Sequence, residues 1–401
     1  MANYSRSFVI NDILNNLLKV ELNLHDSLQD KVLNRVQQLR LNIKEDVGDF
    51  LHNLDHRIDT EDQVRAAVNL CPESLMVQNE GGRFPIQVAV RTCFSHAFVP
   101  LLAELAIEHK QEVGGPDKRG GLLMEDTFAR KTLTVLEIFV CVGHRDDPYF
   151  DVDSLETLKK LKTKELLHLA DIRRYKLLLR PNSGCKSRIE FLADWNPEAL
   201  DMCPTRGCYP IFLVISKDVS RFKMMLKAGF KHFPNELGFL FANNAGDNTA
   251  CTKAIENFGK EKILDIIQAI IPSGEDLPIL HFVMRSVPDL LNDFALRYPS
   301  ATYLRDDKGR LLHHVAMASG RTMRNNAMFY LQMTDDKLEE QDPETGLFPF
   351  MLMASGEKSD LYSVFYLLRK NPSVLERQRG LVKEKRKASS TRNSKKTRVG
   401  A

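Results

Sequence analysis

The sequence predicts an all-α protein, a helical repeat solenoid with short turns between helix pairs, on three observations. A mark of Pro, then Gly ten residues on, then Pro or Leu three beyond that occurs three times at one spacing: Pro72, Gly82 and Pro85; Pro197, Gly207 and Pro210; Pro299, Gly309 and Leu312. Between the marks, apolar residues recur at i, i+3, i+4 and i+7, the period that gathers them on one face of a helix. Alternating runs of the kind strands need are scarce, so nothing beyond short hairpin-like turns is expected.

Each part of the mark has a physical task. The first proline stops an apolar helix, because its ring fixes φ and removes a backbone donor. The glycine supplies a positive φ for a tight turn. The second proline opens the next helix, where the missing N–H costs nothing. A fourth unit, "QDPETGLFPFMLMA", keeps Gly346 and Pro349, and "NPSVLE" at Pro372 starts the mark again before the basic tail. Helical stripes are expected at Ile10, Ile13, Leu14 and Leu17; at Phe98, Leu101, Leu102 and Leu105; at Ile263, Ile266, Ile267 and Ile270; at Val287, Leu290, Leu291 and Phe294; and at Leu361, Val364, Phe365 and Leu368. All are one-sided helices that need neighbours.

With these residues in place, the chain resembles the ankyrin-repeat family, whose core pattern is G-x-T-P-L-H-x-A. It reads G-R-F-P-I-Q-V-A from Gly82 to Ala89, G-C-Y-P-I-F-L-V from Gly207 to Val214, and G-R-L-L-H-H-V-A from Gly309 to Ala316. Echoes are "LLHLA" at Leu166–Ala170, "ILHFV" at Ile279–Val283 and "GDNTACTKA" at Gly246–Ala254. Phe84, Tyr209 and Leu311 replace the pattern's Thr, and its His survives at His314, with His168 and His281 as further candidates. The stretches "NPEAL", "RYPSATYLRDDKGR" and "PETGLFPFMLMASGEKSDL" also resemble divergent ankyrin-like proteins of diatoms. The resemblance implies stacked units of about 33 residues carrying insertions. It also implies a structural role for His314, tying adjacent units together.

Three segments are expected. Residues 1–56 form an N-terminal helical cap, with Val32, Val36 and Leu39 continuing the stripe begun at Ile10, because an array must cover its apolar ends. Residues 57–376 form the ankyrin-like array, in which "VGGPDKRGG" (Val113–Gly121) and "GHRDDPYFDVDS" (Gly143–Ser154) read as exposed loops. Residues 377–401 form a basic disordered tail with ten Lys or Arg against the single acid Glu384; overall formal charge is +3, so the body is net negative. Hydrophobic residues at 43% suffice for a large core. The seven scattered cysteines and the absence of a signal-peptide pattern predict reduced thiols in a cytoplasmic or nuclear protein. No apolar run reaches the ~20 residues of a membrane span. One tryptophan, Trp195, provides no aromatic platform for bases or sugars.

Catalytic and metal patterns are not met. His144-Arg145-Asp146 has the lettering of a kinase catalytic loop without the other kinase motifs. His52 and His56 sit one turn apart without a third ligand, and read as exposed helix polarity. Cys203 and Cys208 have no second pair and read as a local turn. The chain is therefore predicted to be no enzyme and to need no cofactor or metal.

What remains is recognition. The residues flanking the turn glycines are expected to project from the core, placing Arg83, Arg206, Lys308 and Arg310 along one edge with Asp307 and Glu344 as acidic contacts. A protein partner with an acidic or phosphorylated segment would suit that edge. In the tail, Lys395, Lys396 and Arg398, with Lys385, Arg386 and Lys387 upstream, match a nuclear import signal and an import receptor as partner. The alternative function is a nucleic-acid-associated nuclear factor that uses this tail for affinity.

Overall fold

A proline disfavours helix at the residue before it and starts a helix well itself, and the described residues use that pair of effects repeatedly. Cys71, Asn196, Phe233, Val287 and Tyr298 leave the helical region, with φ between −126° and −146° and positive ψ. The prolines after them each open a short 3-10 turn: Pro72–Met76, Pro197–Leu200, Pro234–Phe239, Pro288–Leu290 and Pro299–Thr302. The sequence's helix-stop mark is thus a stop followed by one tight turn of restart.

The structure is a computed structural model that describes residues 26–116, 118–142, 150–180, 185–201, 208–215, 218–244, 246–272, 277–320, 335–356 and 359–375. It is mostly helical, and the chain divides into two compact units, Met1–Ala228 and Gly229–Ala401.

The first unit contains α1 (Asp26–His52), α2 (Glu61–Leu70), α3 (Pro85–Ala89), α4 (Val99–Glu108), strands β1 (Glu125–Phe128) and β2 (Lys131–Thr134), α5 (Val135–Cys141), α6 (Phe150–Thr163), α7 (Leu169–Arg174), α8 (Lys186–Trp195) and α9 (Pro210–Val214); α10 (Val219–His232) follows. Helices α2, α4, α6 and α8 pack in series, each on the next. The predicted stripe of α4 is buried throughout: Phe98, Leu101, Leu102 and Leu105 are at most 3% exposed. β1 and β2 form an antiparallel ribbon with Phe128 opposite Lys131. Its loop residues Ala129 and Arg130 lie at φ +50° and +63°, a turn geometry that matches strand twist.

The second unit contains β3 (Asn243–Asn244), β4 (Gly246–Thr249), α11 (Ala250–Phe258), α12 (Lys260–Ile270), α13 (Ile279–Ser286), α14 (Leu291–Arg297), α15 (Leu312–Ala318), α16 (Asp335–Leu338), α17 (Pro349–Ser355) and α18 (Leu361–Lys370). α13 packs on α15, α15 on α17 and α17 on α18. Leu280, Val283, Met284, Phe294, Ala316 and Met317 are fully buried at the centre.

Several expectations change. The stripe of α1 passes through Val36, Arg40, Val47 and Leu51, and Leu39 is half exposed off its side. "VGGPDKRGG" is only partly exposed: among its described residues Pro116 is exposed but Val113 and Gly121 are buried, and Gly120, at φ +62°, presses on helix α4 so tightly that a Cβ would lie 2.1 Å from the Ala103 carbonyl oxygen. Phe150–Ser154 is the first turn of α6, and Asp151 there accepts from the buried Arg188 at 3.0 Å. The stripe drawn through Val287 and Leu291 is cut by Pro288. In α18 the inward residues are Ser363 and Leu367, while Leu361 and Phe365 face out.

Candidate functional site

The turns at Gly82, Gly309 and Gly346 are each built by an acid or amide at the start, and Gly207 lies outside the described residues. Asn79 Oδ1 accepts from Gly81 N at 3.0 Å and Arg83 N at 3.1 Å. Asp306 Oδ1 accepts from Lys308 N at 3.1 Å and Arg310 N at 2.8 Å, and Asp342 accepts from Glu344 N and Thr345 N. Gly82, Gly309 and Gly346 then take φ of +69°, +74° and +70°. Asn and Asp side chains bonding forward to the backbone organise such turns locally. The signal, Asn or Asp three or four residues before the glycine, was present in the sequence and not used.

Five helices open in one way, α17 after Gly346 not among them. The side chain at the third position accepts from the N–H of the cap residue: Gln87 from Phe84 at 2.9 Å, Glu137 from Thr134 at 2.8 Å, Asp171 from His168 at 2.8 Å, Thr252 from Thr249 at 3.0 Å, and His314 from Leu311 at 3.2 Å. Glu137 marks a helix start that sequence reading missed, although T-x-x-E before an apolar run is the signature of one. His168 is the cap itself, so "LLHLA" enters the pattern three residues out of step with the expected register.

Histidines tie one turn to the next segment. Nδ1 of His314 accepts from Leu311, which leaves Nε2 to donate to the Glu340 carbonyl at 3.1 Å. His281 Nε2 meets the Arg310 carbonyl at 3.0 Å, and His52 Nε2 meets that of Arg83 at 3.0 Å. His56 Nδ1 lies 2.6 Å from the Phe94 carbonyl; His56 is exposed as expected but lies past the end of α1, whereas His52 is half-buried, and both are engaged with backbone oxygens. Burial pushes His281 and His314 below the ordinary histidine value, and pushes the neighbouring His313 down to about 2.

On this frame stand the charged side chains of the edge. Arg310, only 12% exposed, donates to Asp306 Oδ2 from Nε at 3.0 Å and Nη2 at 2.9 Å, and to Glu344 Oε2 from Nη1 at 2.7 Å. Lys308 reaches the other oxygen of Glu344, Arg305 pairs with Glu340, and Arg285 adds a donor to Asp306. Burial raises the Asp306 carboxyl, but the backbone and guanidinium bonds from Arg310 outweigh it and hold the group below its usual value. Four predicted edge residues, Asp307, Lys308, Arg310 and Glu344, are therefore brought together. Asp307, Lys308 and Glu344 are exposed, whereas Arg310 is committed to the frame. In the first unit Arg83, 38% exposed, lies 3.9 Å from Asp126, which Arg91 binds at 2.7 Å. Arg206 and the tail residues Lys385, Arg386, Lys387, Lys395, Lys396 and Arg398 lie outside the described residues.

A groove of about 730 Å³ also opens in the second unit, walled by Leu280, Leu291, Leu296, Pro299 and Leu312. Its charged lining residue is Lys337, whose ammonium sits 4.0 Å over the Tyr303 ring. Among the described residues no group of three or more His, Cys, Asp or Glu is placed to hold a metal ion, and no helix is long and apolar enough to cross a membrane. The six described cysteines form no disulfide. No family model and no curated protein matches the chain.

Proposed function

We propose that the chain is a non-catalytic recognition scaffold, an ankyrin-like helical-repeat solenoid that holds a protein partner along its turn edge. The observation that carries this reading is the bridge of Arg310 from Asp306 in one turn to Glu344 in the next. It sets two successive turns side by side and leaves Asp307, Lys308 and Glu344 pointing outward from a fixed backbone. Recognition benefits from side chains whose positions are already settled before the partner arrives. In the second unit Lys308 supplies an exposed cation for an acidic or phosphorylated segment and Asp307 a register-setting negative charge, and Arg83 offers a cation on the first unit taken by itself.

The test is affinity capture from the native cell with the full chain as bait. The double change Asp307→Ala and Lys308→Ala, and separately Arg83→Ala, should each lose a captured partner while leaving the unfolding midpoint in place. A partner retained by all of these variants would move recognition off the turn edge.

A further inference from the structure

Side chains alternate along a strand, so in the β1–β2 ribbon Asp126 and Phe128 share a face with their cross-strand partners Leu133 and Lys131. Leu133 is buried and anchors one end of that face, while Lys131 stands exposed at the other. Arg91 lies along it. Its guanidinium donates to Asp126 Oδ2 from Nη2 at 2.7 Å and Nε at 3.3 Å, donates to the Thr127 carbonyl at 2.7 Å, and sits 5.4 Å over the Phe128 ring. One arginine therefore already answers the Asp126 carboxylate. The other oxygen, Oδ1, accepts the Thr127 N–H at 2.7 Å, and Arg83 approaches it only to 3.9 Å, beyond hydrogen-bond reach. Arg83 Nε is buried without a hydrogen-bond partner, although its side chain as a whole is 38% exposed. Lys131 forms no ion pair among the described residues. It is the diagonal cross-strand neighbour of Asp126, about 7–8 Å away and within reach of a long side chain. Three cations thus share one face with one carboxylate. Arg130 in the loop and Glu80 in the Arg83 turn flank the face and offset one another, and Glu125 lies on the opposite side of the ribbon.

We propose that this face is an oxyanion site for a phosphorylated side chain of the protein partner, with Arg83 and Lys131 as the binding cations and Arg91 holding Asp126 and Phe128 in place. The proposal rests on the recognition reading above and narrows it for the first unit. Charge selects the occupant. An excess of two positive charges matches a phosphate monoester, which carries about −1.5 to −2 at neutral pH, whereas one carboxylate would leave a cation unanswered. Arg83 adds a planar fork of donors suited to phosphate oxygens. A nucleic-acid strand fits less well, because it needs a continuing row of cations and open aromatic faces for its bases, and the Phe128 ring here lies under Arg91.

Fluorescence anisotropy of a labelled Gly/Ser peptide carrying one phosphoserine, titrated with the full chain at low salt, reads this directly. The peptide should bind about tenfold tighter than its twin with Glu in place of phosphoserine. Arg83→Ala and Lys131→Ala should each weaken it by about tenfold with the unfolding midpoint unchanged, and Lys308→Ala should leave it as it is. Binding indifferent to Arg83→Ala and Lys131→Ala would belong to other cations, such as those of the basic tail, and would overturn the proposal. So would equal affinity for the Glu twin, equal affinity for inorganic phosphate, or tighter binding of a short single-stranded oligonucleotide. Failure of the peptide while partner capture is still lost in Arg83→Ala would strike the phosphate and keep edge recognition. Capture retained by every edge variant would strike the recognition reading itself.

Discussion

Arg310 of one turn donates to Glu344 of the next at 2.7 Å while the same guanidinium holds Asp306 within its own turn. One side chain therefore sets both the shape of a turn and its distance from the neighbour. A planar fork with five donors suits that double task, and a lysine would not.

Removing that fork should be felt in stability. Arg310→Ala leaves the Asp306 carboxylate, 3% exposed, with Arg285 as its remaining cation, and should cost about 1–3 kcal/mol by urea unfolding. Lys308→Ala and Asp307→Ala, on the exposed side of the same turn, should stay within about 0.5 kcal/mol of wild type. Equal effects at all three positions would contradict the division between frame and exposed edge.

Acid should destabilise the fold well before carboxylates titrate. Burial pushes His96 down to about 4 and His313 to about 2, so both stay neutral in the folded state while an unfolded histidine takes up a proton below about pH 6.5. Their stabilising effect is complete above that value and is lost as pH falls, each by about 2 kcal/mol at pH 5. Asp306, held below its usual value, adds a second loss only under about pH 4. Unfolding free energies that are flat between pH 7 and 5 would exclude the buried neutral histidines.

Two glycines with similar backbones should respond differently to a methyl group. Gly82 at φ +69° has no atom within 4 Å of an added Cβ, whereas Gly120 at φ +62° has the Ala103 carbonyl oxygen at 2.1 Å. Gly82→Ala should cost about 1 kcal/mol for the conformation alone. Gly120→Ala must also shift α4 or its own loop and should cost clearly more, which thermal unfolding of the two variants compares directly.

Glu137 separates two contributions at one carboxylate. It accepts the Thr134 N–H at 2.8 Å with one oxygen and pairs with Arg180 through the other. Glu137→Gln keeps the cap and loses the ion pair, so its cost should be less than half that of Glu137→Ala, about 2 kcal/mol. Identical costs would mean that the cap contributes nothing.

Helical class and the turns at Gly82, Gly309 and Gly346 were legible because proline, glycine and apolar period act over a few neighbouring residues. The stripe at Phe98–Leu105 shows this: the helix period gathers its residues on one face, and that face is buried. The candidate edge was legible only as composition. Asp307, Lys308, Arg310 and Glu344 could be placed beside turn glycines from sequence, but not sorted into exposed and committed groups, because that depends on which turn lies next to which.

Local chemistry in the sequence determined where helices stop, where φ turns positive and which residues open each helix. Tertiary structure alone decided which face of α18 is covered, why Gly120 admits no side chain, and that Arg310, bound locally to Asp306, also reaches Glu344 rather than solvent. The reason is range: capping and turn forces act within about four residues, whereas burial and the ion pairs between turns depend on neighbours far along the chain, as Arg310 and Glu344 are, 34 residues apart.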